Sequence, residues 1–295
     1  MSAPPSRPAA LIQCTLGVGA LCGIDAIVKH VAIDHAILTI SFGRYLAGTL
    51  FALIVWVSAG RPAIRRAMLP AHLGRGILIA VMASLFYFGL SRLGLAETIT
   101  ISFIAPLLVP PLARLFLGES MQPRFVAAGG LGFVGVLVTT GGIPDLGGDR
   151  AIAVAAVLLS AALYAGAAII LRARAASDGA VIVTLLAAAV PMLVLAPFGL
   201  AAPAPTLAGV GWLLAMGVIG NIGVQLMSRA YVHVEAQAAA VVEFAALPFA
   251  ALFGWAFFAE PVALRVWIGA AIIAAACLWA ARGERPAAAA PGEVV

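Results

Sequence analysis

The residue best placed to do chemistry is Glu243, a lone carboxylate in AQAAAVVEFAALPFAALFGWAFFAEPVALR, residues 236–265. That run is otherwise almost wholly apolar. A carboxylate inside it is costly unless it faces water, finds a partner or takes a proton. It can bind a cation or a substrate ammonium, carry a coupling proton, or serve packing through a hydrogen bond to a neighbouring helix. Arg44 is a second ionisable group within an apolar run, about eight residues or ~12 Å from its start. It can meet a substrate carboxylate, snorkel to the surface or pair with Asp25. Asp25 and Lys29 are i,i+4 neighbours that support one another without a ligand, although a gate or cavity mouth would fall there. Asn221 and Gln225 have the same spacing, with Ser228 continuing the face, so they either bond across helices or line a polar path. Ser84, Tyr87 and Ser91 align likewise, and Tyr164 lies in another apolar run. Tyrosines there stack on a planar ligand while their hydroxyls find water. Ordinary packing explains Tyr87 equally well, and explains Phe86 and Phe88 better.

The elements that must position these groups are membrane helices. With 295 residues, 64% hydrophobic and 10% charged, and a mean hydropathy of +1.13, the chain has too little polar surface to cover a soluble globule. A net charge of +5 and a pI near 9.6 would suit nucleic acid, but the 17 Lys and Arg are scattered between apolar runs. No nucleic-acid partner is therefore expected. Arg7 followed by an apolar run resembles a signal peptide, yet no small-residue cleavage site precedes a soluble domain, so a first span is the better reading. Cys14, Cys22 and Cys277 all fall inside apolar runs and read as packing residues. GxxxxGK[ST], HExxH, GxSxG and CxxC are all missing from the sequence. No catalytic residue, metal or cofactor is expected, and an ATP-driven pump is disfavoured.

A spanning helix needs about 20 mostly apolar residues. Charge, Pro and Gly divide the chain into runs at 9–28, 36–58, 73–93, 98–117, 124–141, 151–172, 179–199, 207–230, 237–259 and 264–281. The Pro/Ala-rich tails, residues 1–8 and 282–295, are expected to be disordered. Orientation follows from the basic residues. Segments on the N-terminal side hold Arg7, then Arg61, Arg65, Arg66 and Arg75, then Arg114, Arg124, Arg172, Arg174, Arg229, Arg282 and Arg285. The opposite segments hold Lys29, Arg92, Arg150 and Arg265. That bias places both termini in the cytoplasm.

The opening stretch occurs twice. AETITISFIAPLLVPPLARLFLGESMQPR, residues 96–124, repeats its Pro, its following apolar helix, and a terminal Glu and Arg, here Glu119 and Arg124 against Glu260 and Arg265. Gly23 with Lys29 and Gly166 with Arg172 add a weaker match between helices one and six. The repeating unit is thus five helices, 9–141 and 151–281, and an odd-numbered unit must re-enter the membrane inverted. The fold expected is an all-α polytopic membrane protein of ten transmembrane helices in two inverted five-helix repeats. APLLVPPLARLFLGE and ALPFAALFGWAFFAE, preceded by FYFGLSRLGLAE and LMSRAYVHVEAQ, resemble the paired modules of the drug/metabolite transporter superfamily, EamA type. The first half departs from the usual pattern in carrying Pro106, Pro110 and Pro111 in helix four.

The resemblance implies a secondary transporter of the bacterial inner membrane, not an enzyme. It would export small metabolites by alternating access and work as a monomer. Aromatic and large neutral amino acids are the first substrate class, because the resemblance includes aromatic amino acid exporters. Cationic drugs, riboflavin or S-adenosylmethionine are alternatives within the class, and a polytopic membrane enzyme or assembly factor is the alternative outside it. In this reading Tyr87, Tyr164 and apolar neighbours hold the hydrophobic part of the substrate. Asn221, Gln225, Ser84, Glu243 and Arg44 meet its polar groups, with Glu243, Asp25 and Lys29 as coupling or gate residues.

Overall fold

The computed structural model describes residues 7–93, 95–118, 120, 123–140, 150–234, 242–258 and 264–282. The helices run α1 Arg7–Val31, α2 Ile37–Ser58, α3 Leu69–Arg92, α4 Leu95–Ser102, α5 Ile104–Leu117, α6 Pro123–Thr140 and α7 Arg150–Asp178. They continue with α8 Ala180–Gly199, α9 Leu207–Ala230, α10 Ala246–Phe258 and α11 Leu264–Arg282. A 3₁₀ turn, Arg66–Met68, leads into α3. By length and composition 6 of these helices can each cross a bilayer unaided: α1, α2, α3 with its leading turn, α7, α8 and α9. Spans five and ten are α6 and α11, and span four is built from α4 and α5. Of span nine the described residues are Val242, Glu243, the turn of Phe244 and Ala245, and α10. The chain is thus an all-helical membrane protein of 10 spans in two five-helix halves.

Helix packing obeys the repeat. The strongest contacts are α6 with α11, α3 with α7, α1 with α9, α2 with α8, α2 with α9, α3 with α8, α5 with α7 and α1 with α10. Exchanging the halves turns α3–α7 into α9–α1, α2–α9 into α8–α3 and α5–α7 into α10–α1. It returns α2–α8 and α6–α11 to themselves. Most of the packing therefore lies between the halves, and the surface joining them is where a path must run. Small residues permit the close crossings. A Cβ on Gly217 of α9 would stand 2.6 Å from the Gly48 nitrogen of α2, and one on Gly135 of α6 would stand 2.9 Å from the Gly269 oxygen of α11.

Two observations correct the expectation of continuous spans four and nine. Span four breaks at Phe103, between α4 and α5. In span nine Phe244 and Ala245 form a turn between helical Glu243 and α10, so Glu243 stands immediately before a break. Proline is the common cause. Pro106 has no N–H to donate to the Ser102 carbonyl, and Pro248 has none for the Phe244 carbonyl. At the second break the backbone tightens to i→i−3 bonds, Ala245 N to Val242 O at 2.9 Å and Leu247 N to Phe244 O at 3.2 Å. Pro110 and Pro111 are accommodated inside α5. The first helix begins at Arg7, so Arg7 and Pro8, expected in the N-terminal tail, belong to its first turn. Glu119 and Glu260 lie outside the described residues.

Polar ties join the halves at both faces. His72 near the start of α3 places Nε2 2.9 Å from Asp178 Oδ2 at the end of α7. Across the membrane, His35 after α1 places Nε2 3.2 Å from the Thr206 hydroxyl that caps α9. These helix pairs are the ones the repeat exchanges, so each face carries its own version of one latch.

Candidate functional site

The helix breaks meet at the centre of the molecule. The terminal Glu and Arg of the two copies set a register that pairs Phe103 with Phe244 and Ser102 with Glu243. Phe103 and Phe244 stack with centroids 5.1 Å apart and planes 14° from parallel. Both are buried. Beside them opens a cavity of about 180 Å³ between the halves, lined from α1, α2, α3, α4, α5, α7 and span nine. Ser102 and Glu243 both face it, as do Ala105 and Ala246. Symmetry thus places the two residues at one cavity, and the sequence gives only one of them a charge.

Glu243 is 7% exposed and is held by tyrosines from two other elements. The Tyr164 hydroxyl of α7 donates to Oε1 at 2.8 Å, and the Tyr231 hydroxyl, just after α9, donates to the same oxygen at 3.4 Å. At the other end of the cavity Arg44 Nη1 donates to the Tyr87 hydroxyl. Its guanidinium also lies over the Tyr45 ring, 5.0 Å from the centroid. Asp25 lines the same end and acts on Arg44 electrostatically. Between these charged ends the wall is apolar and aromatic, with Phe86, Phe103, Met82 and Ile99. Ser160 Oγ donates to the Met82 carbonyl at 2.8 Å, tying α7 to α3 along the wall.

Of the residues singled out in the sequence, Glu243, Tyr164, Arg44, Tyr87 and Asp25 come together at this cavity. Phe86 and Cys22 line it as well, and the remaining polar candidates lie elsewhere. Asn221 donates to the Gly48 carbonyl at 2.7 Å and the Gly217 carbonyl at 2.9 Å, bracing α9 against α2 beside the back of Arg44. Gln225 accepts from Arg229 Nη2 at 3.4 Å, and Ser84 returns its hydroxyl to Ala80 O at 2.9 Å. Lys29 sits over the Phe258 ring, 4.6 Å from its centroid. Cys14 and Cys22 are buried free thiols. Sequence reasoning passed over Tyr231, Ser102, Phe103 and Arg75. For Ser102 and Phe103 the signal was the repeat register. For Arg75 it was position: the residue was grouped with the preceding loop although it falls inside the third expected span, and it is 5% exposed.

Comparison with known proteins fits this geometry. EamA-like transporter sequences match residues 12–141 and again residues 151–282. The chain belongs to the EamA-like transporter family. It is accordingly a multi-pass membrane protein of the drug/metabolite transporter superfamily. This EamA-type chain is 29% identical over 269 residues to the pseudopaline exporter CntI of Pseudomonas aeruginosa, covering 89% of this chain and 92% of that one. It is 27% identical over 291 residues to a riboflavin transporter of Brucella anthropi, covering 96% and 98%. A riboflavin transporter of Rhizobium johnstonii is 28% identical over 245 residues, covering 83% and 80%. A solved crystal structure superposes with a TM-score of 0.75 at 17% identity, over 93% of this EamA-type chain and 97% of its own.

Proposed function

We propose that this transporter exports a compact amphoteric metabolite, first among them an aromatic or large neutral amino acid, across the bacterial inner membrane with both termini cytoplasmic. The observation that carries the reading is the arrangement of charge in the cavity. A guanidinium and a carboxylate, Arg44 and Asp25, stand at one end, a second carboxylate, Glu243, at the other, and aromatic wall lies between. That set meets a carboxylate, an ammonium and a hydrophobic side chain at once. Size supports the same class: about 180 Å³ is below the roughly 300–1,000 Å³ of pockets for drug-sized ligands. Outward direction is favoured by the exporter among the relatives. The protein works as a monomer in this reading, because the cavity is complete within one chain and its symmetry is internal.

The riboflavin transporters among the relatives favour a second reading, a planar substrate stacked on Phe86, Phe103 and the cavity tyrosines. Counterflow in liposomes separates the two. Labelled phenylalanine should exchange, and unlabelled aromatic and large neutral amino acids should compete with it. Exchange of riboflavin with no response to any amino acid would hand the site to the second reading. Repeating the assay with and without a pH gradient asks whether Glu243 also carries a coupling proton. Insensitivity to the gradient removes that role.

A further inference from the structure

Arg75 is a buried charge that the cavity leaves unused. It lies about 9 Å into α3 and is 5% exposed. Its Nε and Nη1 have no hydrogen-bond partner among the described residues. A guanidinium cannot escape this by losing its proton, as a buried lysine can. Among the described residues, the acids of the region are already engaged. Asp178 gives Oδ2 to His72 Nε2 and Arg174 Nε, and Oδ1 to Arg174 Nη2 and the Ser177 hydroxyl. Glu243 accepts from Tyr164 and Tyr231.

Arg75 is coupled electrostatically to the hydroxyls of Tyr231, Tyr164 and Tyr45 and to the imidazole of His72 one turn away on α3. Two of these hold Glu243, and Tyr164 is also cavity wall. Tyr45 feels both Arg75 and Arg44. Seven and eleven residues before the cavity residues Met82 and Phe86, Arg75 shares their face of α3 and continues it about two turns toward the start of that helix, on the side of Tyr164, Tyr231 and the Glu243 they hold. We propose that Arg75 is a substrate-binding residue, which takes the carboxylate of the transported molecule beyond the cavity floor once that tyrosine–glutamate cluster parts. Glu243 then stands between two cationic stations, Arg44 and Arg75, and can keep the ammonium of the substrate while its carboxylate changes partner. The inference rests on the transport reading and extends it to a required anionic group.

The test uses Arg75→Met and Arg75→Lys in the full-length protein, with melting in detergent and counterflow in liposomes. Replacing an uncompensated buried ion by an apolar side chain of similar length is neutral or stabilising. Arg75→Met should therefore melt at or above the wild-type temperature while losing phenylalanine counterflow roughly tenfold or more. Wild type should be competed better by phenylalanine than by phenylalaninamide, whose carboxylate is neutralised. Arg75→Met should show a smaller preference, because Arg44 still meets the carboxylate, and Arg75→Lys should retain more of it than Arg75→Met does. Wild-type transport and discrimination in Arg75→Met overturns the proposal. So does a melting temperature well below wild type, which would make the residue structural. If wild type moves no amino acid, the substrate reading of the preceding section fails, and Arg75 is then judged by ligand-induced melting shifts. A shift with phenylacetate, lacking with phenylacetamide and reduced in Arg75→Met, upholds the carboxylate site, and an unreduced shift in Arg75→Met removes it. No such shift in wild type removes it.

Discussion

Replacing Glu243 by Gln changes charge with almost no change of shape. The amide carbonyl can still accept from the Tyr164 hydroxyl now 2.8 Å from Oε1, and from Tyr231 at 3.4 Å. The folded protein thus keeps its polar partners and sheds a buried carboxylate, 7% exposed, whose desolvation opposes folding. The melting temperature of Glu243→Gln should match or exceed wild type. Glu243→Ala differs, because it orphans the Tyr164 and Tyr231 hydroxyls, and each unsatisfied buried group costs about 1–3 kcal/mol. At about 2–4 °C per kcal/mol for chains of 150–250 residues, and less for a longer one, Ala should melt several degrees lower. Transport should separate the pair from wild type in the other direction. A charge-assisted hydrogen bond to a substrate ammonium is worth about 1.5–3 kcal/mol, so both variants should lose roughly ten- to a hundredfold in counterflow of phenylalanine. Competition by phenylpropionate, which lacks the amine, should be little changed. Equal phenylalanine counterflow in wild type and Glu243→Gln would refute the ammonium assignment. A Gln variant as unstable as Ala would show that the carboxylate itself holds the three elements together.

Three further outcomes follow from the packing. Tyr87→Phe leaves Arg44 without the hydroxyl it donates to, at a site where Tyr87 is 1% exposed, and should weaken phenylalanine binding several-fold in a ligand-induced melting assay. Unchanged affinity would place Arg44 outside the substrate's reach. Asp178→Asn removes the charge and replaces one of the two oxygens that serve His72, Arg174 and Ser177 by a donor, and should destabilise by about 1–3 kcal/mol, less than a fully buried pair because the Arg174 side chain is 31% exposed. Thermal melting measures it, and a variant as stable as wild type would mean that the α3–α7 latch is not needed for folding. Gly217→Ala puts a Cβ 2.6 Å from the Gly48 nitrogen and should cost about 1–3 kcal/mol, whereas Gly130→Ala, with nothing within 4 Å, should be neutral or slightly stabilising. Equal melting temperatures would contradict the close α2–α9 crossing.

Composition, the length of the apolar runs and the repeated Pro–helix–Glu–Arg pattern determined that this chain is a helical membrane protein in two inverted halves. Those signals are local, since a bilayer demands a continuous apolar run and charge or proline ends it. The tertiary structure alone decided which polar side chains share a cavity. Helices such as α8 and α10 are apolar nearly all round, so no face is marked as inward, and rotation about the axis is set by the neighbours. Asn221 and Gln225 share a spacing but not a fate: one braces α2 and the other pairs with Arg229. Glu243 stood out from its neighbours in the sequence as an isolated acid. That its partners are Tyr164 and Tyr231, from distant elements, and that Arg75 is buried with no acid of its own among the described residues, depends on how the two halves pack.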